Sequence, residues 1–290
     1  MGSTSRVLLV DKPVGPTSFD VVRMARRGFA GRVGHAGTLD PFASGLLLVM
    51  LGQATRLSAV LLGLPKEYEL TVRFGARSST GDPTGEVGET GGCVDRPAVL
   101  GALDQFLGQV RQKVPMTSAV KIAGEALYKK AHRGESAETP ERNVRIYDLC
   151  LLDFDEERQV AMLLAVTGSG TYLRVLAQDL GEALGAGGYA LALRRTRIGR
   201  FDVADALAME ELSSEAYSFG KPGVLDLDKA LASMPAIEVE GAAARLAANG
   251  NQLRTEQQGR FRVHGEGRLL GVYEGRGGIA RPVAVFGVEG

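Results

Sequence analysis

From Glu67 to Phe74 the chain alternates strictly: Tyr68, Leu70, Val72 and Phe74 fall on one side, and Glu67, Glu69, Thr71 and Arg73 on the other. That two-residue period predicts a strand with one buried face. Other stretches follow different patterns. "RVLLVDKP" (residues 6–13) is a short apolar run stopped by Pro13, and Leu46 to Leu51 is apolar throughout, so both predict strands. Thr17 followed three residues later by Asp20 matches a capping box and predicts a helix to about Phe29, ended by Gly28 and Gly31. Asp95 with Pro97 begins a helix to about Leu107; residues 144–153 and 159–167 predict paired strands. Thr171 to Leu184 predicts a helix with Leu173, Leu176, Leu180 and Leu184 as its apolar stripe. Between them "SSTGDPTGEVGETGG" (78–92) is a turn-rich loop.

Beyond an acidic, irregular segment (205–230) the pattern changes. "EVEGAAARLAANG" is a short helix closed by Gly250, and "GRFRVHG", "RLLGVYEG" and "ARPVAVFGV" are short strands punctuated by glycine. A small β-barrel-like module attached to a larger α+β domain is the expected organisation, which suits a chain of 290 residues. No apolar run approaches the roughly 20 residues that span a bilayer. Asp11 and Lys12 interrupt the stretch Val7 to Val10 that a signal peptide would need. Cys93 and Cys150 stand far apart, in no C-x-x-C pair. A cytoplasmic protein without metal or cofactor is expected.

The net charge is zero, from 34 basic and 34 acidic residues, but the charges are segregated. Val21 to Leu39 and Arg194 to Arg200 contain no acid, while Asp205, Glu210, Glu211, Glu215, Asp226 and Asp228 cluster elsewhere. A neutral chain arranged this way can present a basic face to nucleic acid.

Two residues stand out against this background. In "GHAGTLDPFASGLLLV", Asp40 is the one acid between Asp20 and Glu67, an interval that also holds Arg23, Arg26, Arg27, Arg32, Arg56 and Lys66. Nearby cations favour the ionised carboxylate and are expected to lower its pKa, which suits a nucleophile rather than a proton donor. With Thr171 as N-cap, Arg174 falls at the third helical position, where a Glu or Gln would complete a capping box. A cation there opposes the helix dipole by a few tenths of a kcal/mol, so Arg174 is expected to answer to an anion or a function. Tyr68, on the inward face of its strand, reads from pattern alone as a core tyrosine with a satisfied hydroxyl, and His35, near Gly34 and Gly37, has no metal-ligand spacing around it.

Taken together, five blocks carry a resemblance: "LLVDKPVGPTSFDVV", "GRVGHAGTLDPFASGLLLVMLGQATR", "KEYELTVRFG", "VPMTSAVKIAGEALYKKAHRGE", and "VTGSGTYLRVLAQDLGEALG" followed by "LRRTRIG". The chain resembles the bacterial tRNA pseudouridine-55 synthases of the TruB type over most of residues 7 to 200. The resemblance implies an α+β pseudouridine-synthase fold: a central mixed, largely antiparallel sheet flanked by helices, plus a small C-terminal PUA-like β-barrel module. It implies a catalytic domain over 1–232, with an RNA-contacting insertion at about 114–145, and a PUA-like RNA-binding domain over 233–290.

It further implies that Asp40 is the catalytic aspartate, that Tyr68 stacks on the flipped uracil and shares in proton transfer, and that Arg174 pairs with Asp40. Tyr172 and Leu193 would line the uridine pocket, His35 would contact the RNA, and Lys12 with Pro13 would support the active-site loop. Lys121, Lys129, Lys130, Arg133, Arg194, Arg195 and Arg197 would meet the RNA, chiefly at phosphates. The implied reaction isomerises uridine 55 of the tRNA T loop by base flipping, glycosidic cleavage and reattachment through C5, with the acylal and glycal routes both open. It needs no cofactor, and the implied partner is tRNA alone, acted on by a monomer. The chain departs from the family pattern at "GAGGYAL", with Ala186, Gly188 and Tyr189, and at "SSTGDPTG".

Overall fold

The computed structural model describes residues 5–118, 120–122, 124–135, 137–212, 217 and 220–287. Its framework follows from the patterns above. The capping box forms, with the Thr17 side chain accepting from the Asp20 amide and the Asp20 carboxylate accepting from that of Thr17, and it opens α1 (Ser18–Arg27). Strand β1 (Arg6–Lys12) precedes it, and β2 (Val33–Ala36) and β3 (Ser44–Leu51) follow. Next come α2 (Ser58–Leu62), β4 (Lys66–Phe74), α3 (Arg96–Leu103) and β5 (Gly108–Lys113). The central part closes with α4 (Leu127–His132), β6 (Glu141–Asp155), β7 (Val160–Thr167), α5 (Leu173–Ala183) and β8 (Gly188–Ile198).

The strands form one large sheet in which β1, β3, β8, β4, β7, β6 and β5 lie side by side. All these neighbours are antiparallel except β3 and β8, which meet in parallel only where Ser44 and Gly45 face Arg194 and Arg195. Strand β8, late in the chain, is thus inserted between two early ones. The inward row of β4, from Tyr68 to Phe74, packs with Leu173, Leu176 and Leu180 of α5 and Val99 and Leu103 of α3. At about 1.5–3 kcal/mol for each fully buried large side chain, this cluster fixes α5 to the sheet. Elsewhere, Val21, Val22 and Ala25 of α1 pack on Leu8, Val10, Leu47 and Val49.

After α6 (Leu227–Ala230), the strands β9 (Ala236–Glu238), β10 (Leu253–Arg254), β11 (Gly259–Gly265), β12 (Arg268–Arg276) and β13 (Ile279–Val285) form a second, five-stranded sheet. It carries its own small core with α7 (Gly241–Ala248), in which the buried Tyr273 hydroxyl donates to the Ala247 carbonyl. This PUA-like module does not hang free. Val272, Ala284 and Phe286 join Val7, Leu9, Leu46, Leu48 and Met50 in one hydrophobic cluster, and Gln53 exchanges two hydrogen bonds with the Gly287 backbone.

Two local expectations are corrected. The turn-rich loop contains a small hairpin, Ala76–Ser78 against Val87–Glu89. Helix α5 starts at Leu173 with Tyr172 as its N-cap, because the Thr171 hydroxyl instead donates to the Gly168 carbonyl. Arg174 is therefore the second helical residue, not the third.

Candidate active site

Asp40 lies in the connection between β2 and β3, and that connection is held from two sides. The Ser18 hydroxyl at the start of α1 accepts from the Leu39 amide at 2.8 Å and donates to its carbonyl at 3.0 Å. The Gly15 amide donates to the Pro41 carbonyl at 2.7 Å. From the opposite side Arg195 donates to the carbonyls of Gly37 at 3.0 Å and Leu46 at 2.6 Å, one before and one after Asp40. Gly45 makes this approach feasible: it has φ +105°, and a Cβ there would lie 2.2 Å from the Arg195 carbonyl oxygen. Only glycine suits both the dihedral and the contact.

Arg174 reaches Asp40 from α5. Its Nε donates to Asp40 Oδ2 at 2.9 Å, while Nη1 donates to the Thr80 carbonyl at 2.8 Å and the Thr117 hydroxyl at 2.5 Å. A second carboxylate, Asp82, stands 3.4 Å from Nη1. The Arg174 side chain is 4% exposed and that of Asp82 6%, whereas Asp40 keeps 36% of its exposure. One buried guanidinium therefore serves two carboxylates. Asp82 is held in its turn by Thr80 and Thr84, which donate to its Oδ1.

The electrostatic expectation for Asp40 is corrected. Its pKa is raised, first by burial and then by Asp82, against the lowering pull of Arg174 and Lys12. Counting bases along the chain omits both the loss of water and a carboxylate that arrives from a distant loop.

Asp40 and Arg174 open into a cleft of about 390 Å³, which Tyr68, Tyr172, Leu193 and Lys66 also line. Tyr172 is fixed through its backbone, since Gln112 accepts from its amide at 3.0 Å and donates to its carbonyl at 3.2 Å. Lys12 is fully buried and donates to the carbonyls of Pro13 and Pro16. Burial lowers its pKa to about 8. His35, on β2, is not among the lining residues. Burial, and then the Arg195 charge, lower its pKa, and its Nδ1 has no hydrogen-bond partner among the described residues.

The remaining basic residues are dispersed. Lys121 begins a two-residue strand, Lys121–Ile122, Lys129 is exposed on α4, and Lys130 is half-buried there. Arg133 is clasped by Glu125 and Glu135. Arg194 pairs with Asp11 at 2.7 Å and Arg197 with Asp202 at 2.9 Å. Arg195 is 1% exposed, so it belongs to no surface run; it lies against the wall of the cleft. Sequence reasoning passed over Asp82 and Gln112, and took Lys66 only as one of the bases flanking Asp40 along the chain. The signal for Asp82 was present, a carboxylate between Gly81 and Pro83 in a loop otherwise rich in Ser and Thr.

A family model described as TruB family pseudouridylate synthase (N terminal domain) matches residues 25–173, and one described as tRNA pseudouridylate synthase B C-terminal domain matches residues 174–235. The chain is similar to the tRNA pseudouridine synthase B of Azoarcus sp. (strain BH72), 42% identical over 98% of this chain and 95% of the relative. That of Thermobifida fusca (strain YX) is 39% identical over 97% and 98%, respectively. Among solved structures, an H/ACA RNP bound to a substrate RNA containing 2'-deoxyuridine matches with a TM-score of 0.71 at 21% identity, covering 97% of this chain and 84% of that one. A Cbf5-Nop10-Gar1 complex matches with a TM-score of 0.71 at 22% identity, over 98% and 84%. These two share the fold.

Proposed function

The chain belongs to the TruB family of pseudouridylate synthases, and from that premise we propose that its target is uridine 55 in the T loop of tRNA, with Asp40 as nucleophile. As a tRNA pseudouridine synthase it is an isomerase: it detaches uracil from C1′ of a tRNA uridine and rejoins it through C5. The observation that carries the residue assignment is the Asp40–Arg174 pair, opening into a cleft that Tyr68 also lines.

A uridine in a folded loop leaves its stack at a cost of a few kcal/mol. Stacking on Tyr68, worth roughly 1–3 kcal/mol, offsets part of that cost. Tyr172 and Leu193 border the base, and His35 contacts the RNA that the base has left. As the N1–C1′ bond breaks, its electron pair departs with the uracil. Ionised Asp40 either bonds to C1′ or removes the C2′ proton, and both routes need the carboxylate charged. Arg174 favours that charged form and aims it. After the uracil turns, C5 bonds to C1′ as the Asp40–C1′ bond breaks or, in the other route, as C2′ regains its proton from Asp40. The C5 proton is then lost and N1 gains one.

In this reading residues 1–232 form the catalytic domain, with an RNA-contacting insertion at about 114–145, and 233–290 an RNA-binding module. Lys121, Lys129 and Lys130 meet phosphates of the tRNA, Arg133, Arg194 and Arg197 do so in exchange for their carboxylate partners, and Lys12 supports the loop that carries Asp40. The enzyme works in the cytoplasm as a monomer, without guide RNA, protein partner or cofactor. Likeness over nearly the full length to proteins named tRNA pseudouridine synthase B supports tRNA as the substrate.

The test is tritium release from [5-³H]uridine-labelled tRNA by the purified chain alone. Wild type releases one equivalent, mapped to position 55, and Asp40→Asn releases none while still binding tRNA. Turnover by Asp40→Asn, or release from another position, refutes the assignment.

A further inference from the structure

The two walls of the cleft differ in charge. On the Asp40 side, Arg174 and Lys12 answer to the two carboxylates Asp40 and Asp82, so the charges there balance. The other wall holds Lys66 and Arg195, which are 5% and 1% exposed. Their side-chain hydrogen bonds go to backbone carbonyls alone: Lys66 donates to Leu62 and Leu64, Arg195 to Gly37 and Leu46. No carboxylate among the described residues pairs with either.

The two cations are also close together. A Cβ built on Gly37 would lie 3.4 Å from both Lys66 Cε and Arg195 Nη1. Nη1 itself has no hydrogen-bond acceptor among the described residues. Burying two like charges side by side is costly unless an anion joins them. Burial and then the Arg195 charge lower the Lys66 pKa to about 8, so it remains mostly charged at neutral pH.

Lys66 and Tyr68 are two residues apart on β4 and share its buried face. At about 3.4 Å of rise per residue, their Cα atoms are some 7 Å apart. A base stacked on Tyr68 has its own backbone phosphate at roughly that reach. We propose that Lys66 and Arg195 form a phosphate subsite inside the cleft, which takes one of the two phosphates flanking the flipped uridine. This rests on the reading of the cleft as the uridine site. The cations near Asp40 are matched by carboxylates, whereas Lys66 and Arg195 have none, so the phosphate is received there and the nucleotide enters with its sugar toward Asp40.

The experiment uses T-arm stem-loop RNAs in which the phosphate on the 5′ or the 3′ side of the target uridine is replaced by an uncharged methylphosphonate. They are compared on wild type and Lys66→Met by kcat/KM. One of the two replacements is expected to slow wild type about 10- to 100-fold, the range for a charge-assisted hydrogen bond. The same replacement is expected to have little further effect on Lys66→Met, because the two changes remove the same contact. Lys66→Met also lowers the slope of log affinity against log salt by about 0.7–0.9, which a purely structural lysine leaves unchanged. Multiplicative effects in the variant, or an unchanged slope, overturn the subsite.

Should Lys66→Met fail to fold, wild type alone decides: insensitivity to both methylphosphonates refutes the proposal. A wild type that fails to convert even the unmodified stem-loop refutes the uridine-site reading, and the subsite with it.

Discussion

Replacing Arg174 by Met removes the one cation that Asp40 and Asp82 share and leaves a side chain of similar length. In the native protein that guanidinium makes three hydrogen bonds at 2.5–2.9 Å and is 3.4 Å from Asp82, almost entirely out of water. Removing one member of such a buried set costs about 3–5 kcal/mol, because the remaining charge is left uncompensated. The protein can relieve this only by protonating a carboxylate, which moves the Asp40 pKa further upward. Expressed wholly as that shift, at about 1.36 kcal/mol per pKa unit, the cost lowers the ionised fraction of Asp40, and turnover with it, by at most about 10²- to 10⁴-fold at neutral pH. The sign with pH follows. A carboxyl whose pKa is raised on folding favours the fold below its unfolded value, near 3.9, and that contribution is lost as pH rises through the raised value. The stability deficit of Arg174→Met relative to wild type therefore narrows toward acid pH. Arg174→Lys keeps the charge without the planar fork and falls between the two. Urea unfolding at several pH values, with single-turnover tritium release, measures both effects. A Met variant within tenfold of wild-type turnover, with a deficit independent of pH, would refute the argument.

Other expectations follow from the same geometry. Asp40→Asn removes a carboxylate whose burial opposes its charge, while Arg174 retains Asp82, so near neutral pH the inactive variant unfolds at a urea midpoint no lower than wild type. A clearly lower midpoint contradicts this. Gly45→Ala combines a strained φ, about 1–3 kcal/mol, with a backbone overlap against Arg195, so a loss of about 3 kcal/mol or more is expected in denaturant unfolding. A cost under 1 kcal/mol would show that β3 and β8 can separate freely. Gln112→Leu removes both hydrogen bonds to the Tyr172 backbone, at about 1 kcal/mol each. Faster amide exchange at the start of α5 and a raised KM for tRNA are expected, and unchanged exchange counts against the role.

Much of the framework was legible because short-range rules decide it. The alternation through Tyr68 to Phe74, the Thr17–Asp20 cap and the uniformly apolar β3 each have one structural solution. Asp40 and Arg174 were visible as local anomalies: a lone acid among bases, and a cation at a helix start. What escaped depends on distant partners. The arginines from 194 to 200 looked like an uncompensated basic run, yet Asp11 and Asp202 neutralise two of them and the fold buries a third. The direction of the Asp40 pKa shift was misjudged for the same reason, since Asp82 and the loss of solvent are invisible in a count along the chain. Thr171 had the right chemistry for an N-cap, but its hydroxyl had a nearer carbonyl to satisfy.

The insertion of β8 between β3 and β4 has a consequence for synthesis on the ribosome. Strands β3 and β4 are complete by Phe74, but the strand that joins them begins only at Gly188. At about 5–20 residues per second, that interval is roughly 6–23 s of translation. Throughout it the edge of β4 that β8 will occupy has no partner, whereas β3 is already paired with β2 over Leu48–Leu51 and lacks only its contact at Ser44 and Gly45. Of the two arginines that later fix Asp40 in place, Arg174 is made late in this interval and Arg195 just after it. The enzyme therefore gains its catalytic geometry in a single late step, and fragments ending before residue 198 should be recovered bound to chaperones or in aggregates rather than as partly active enzyme.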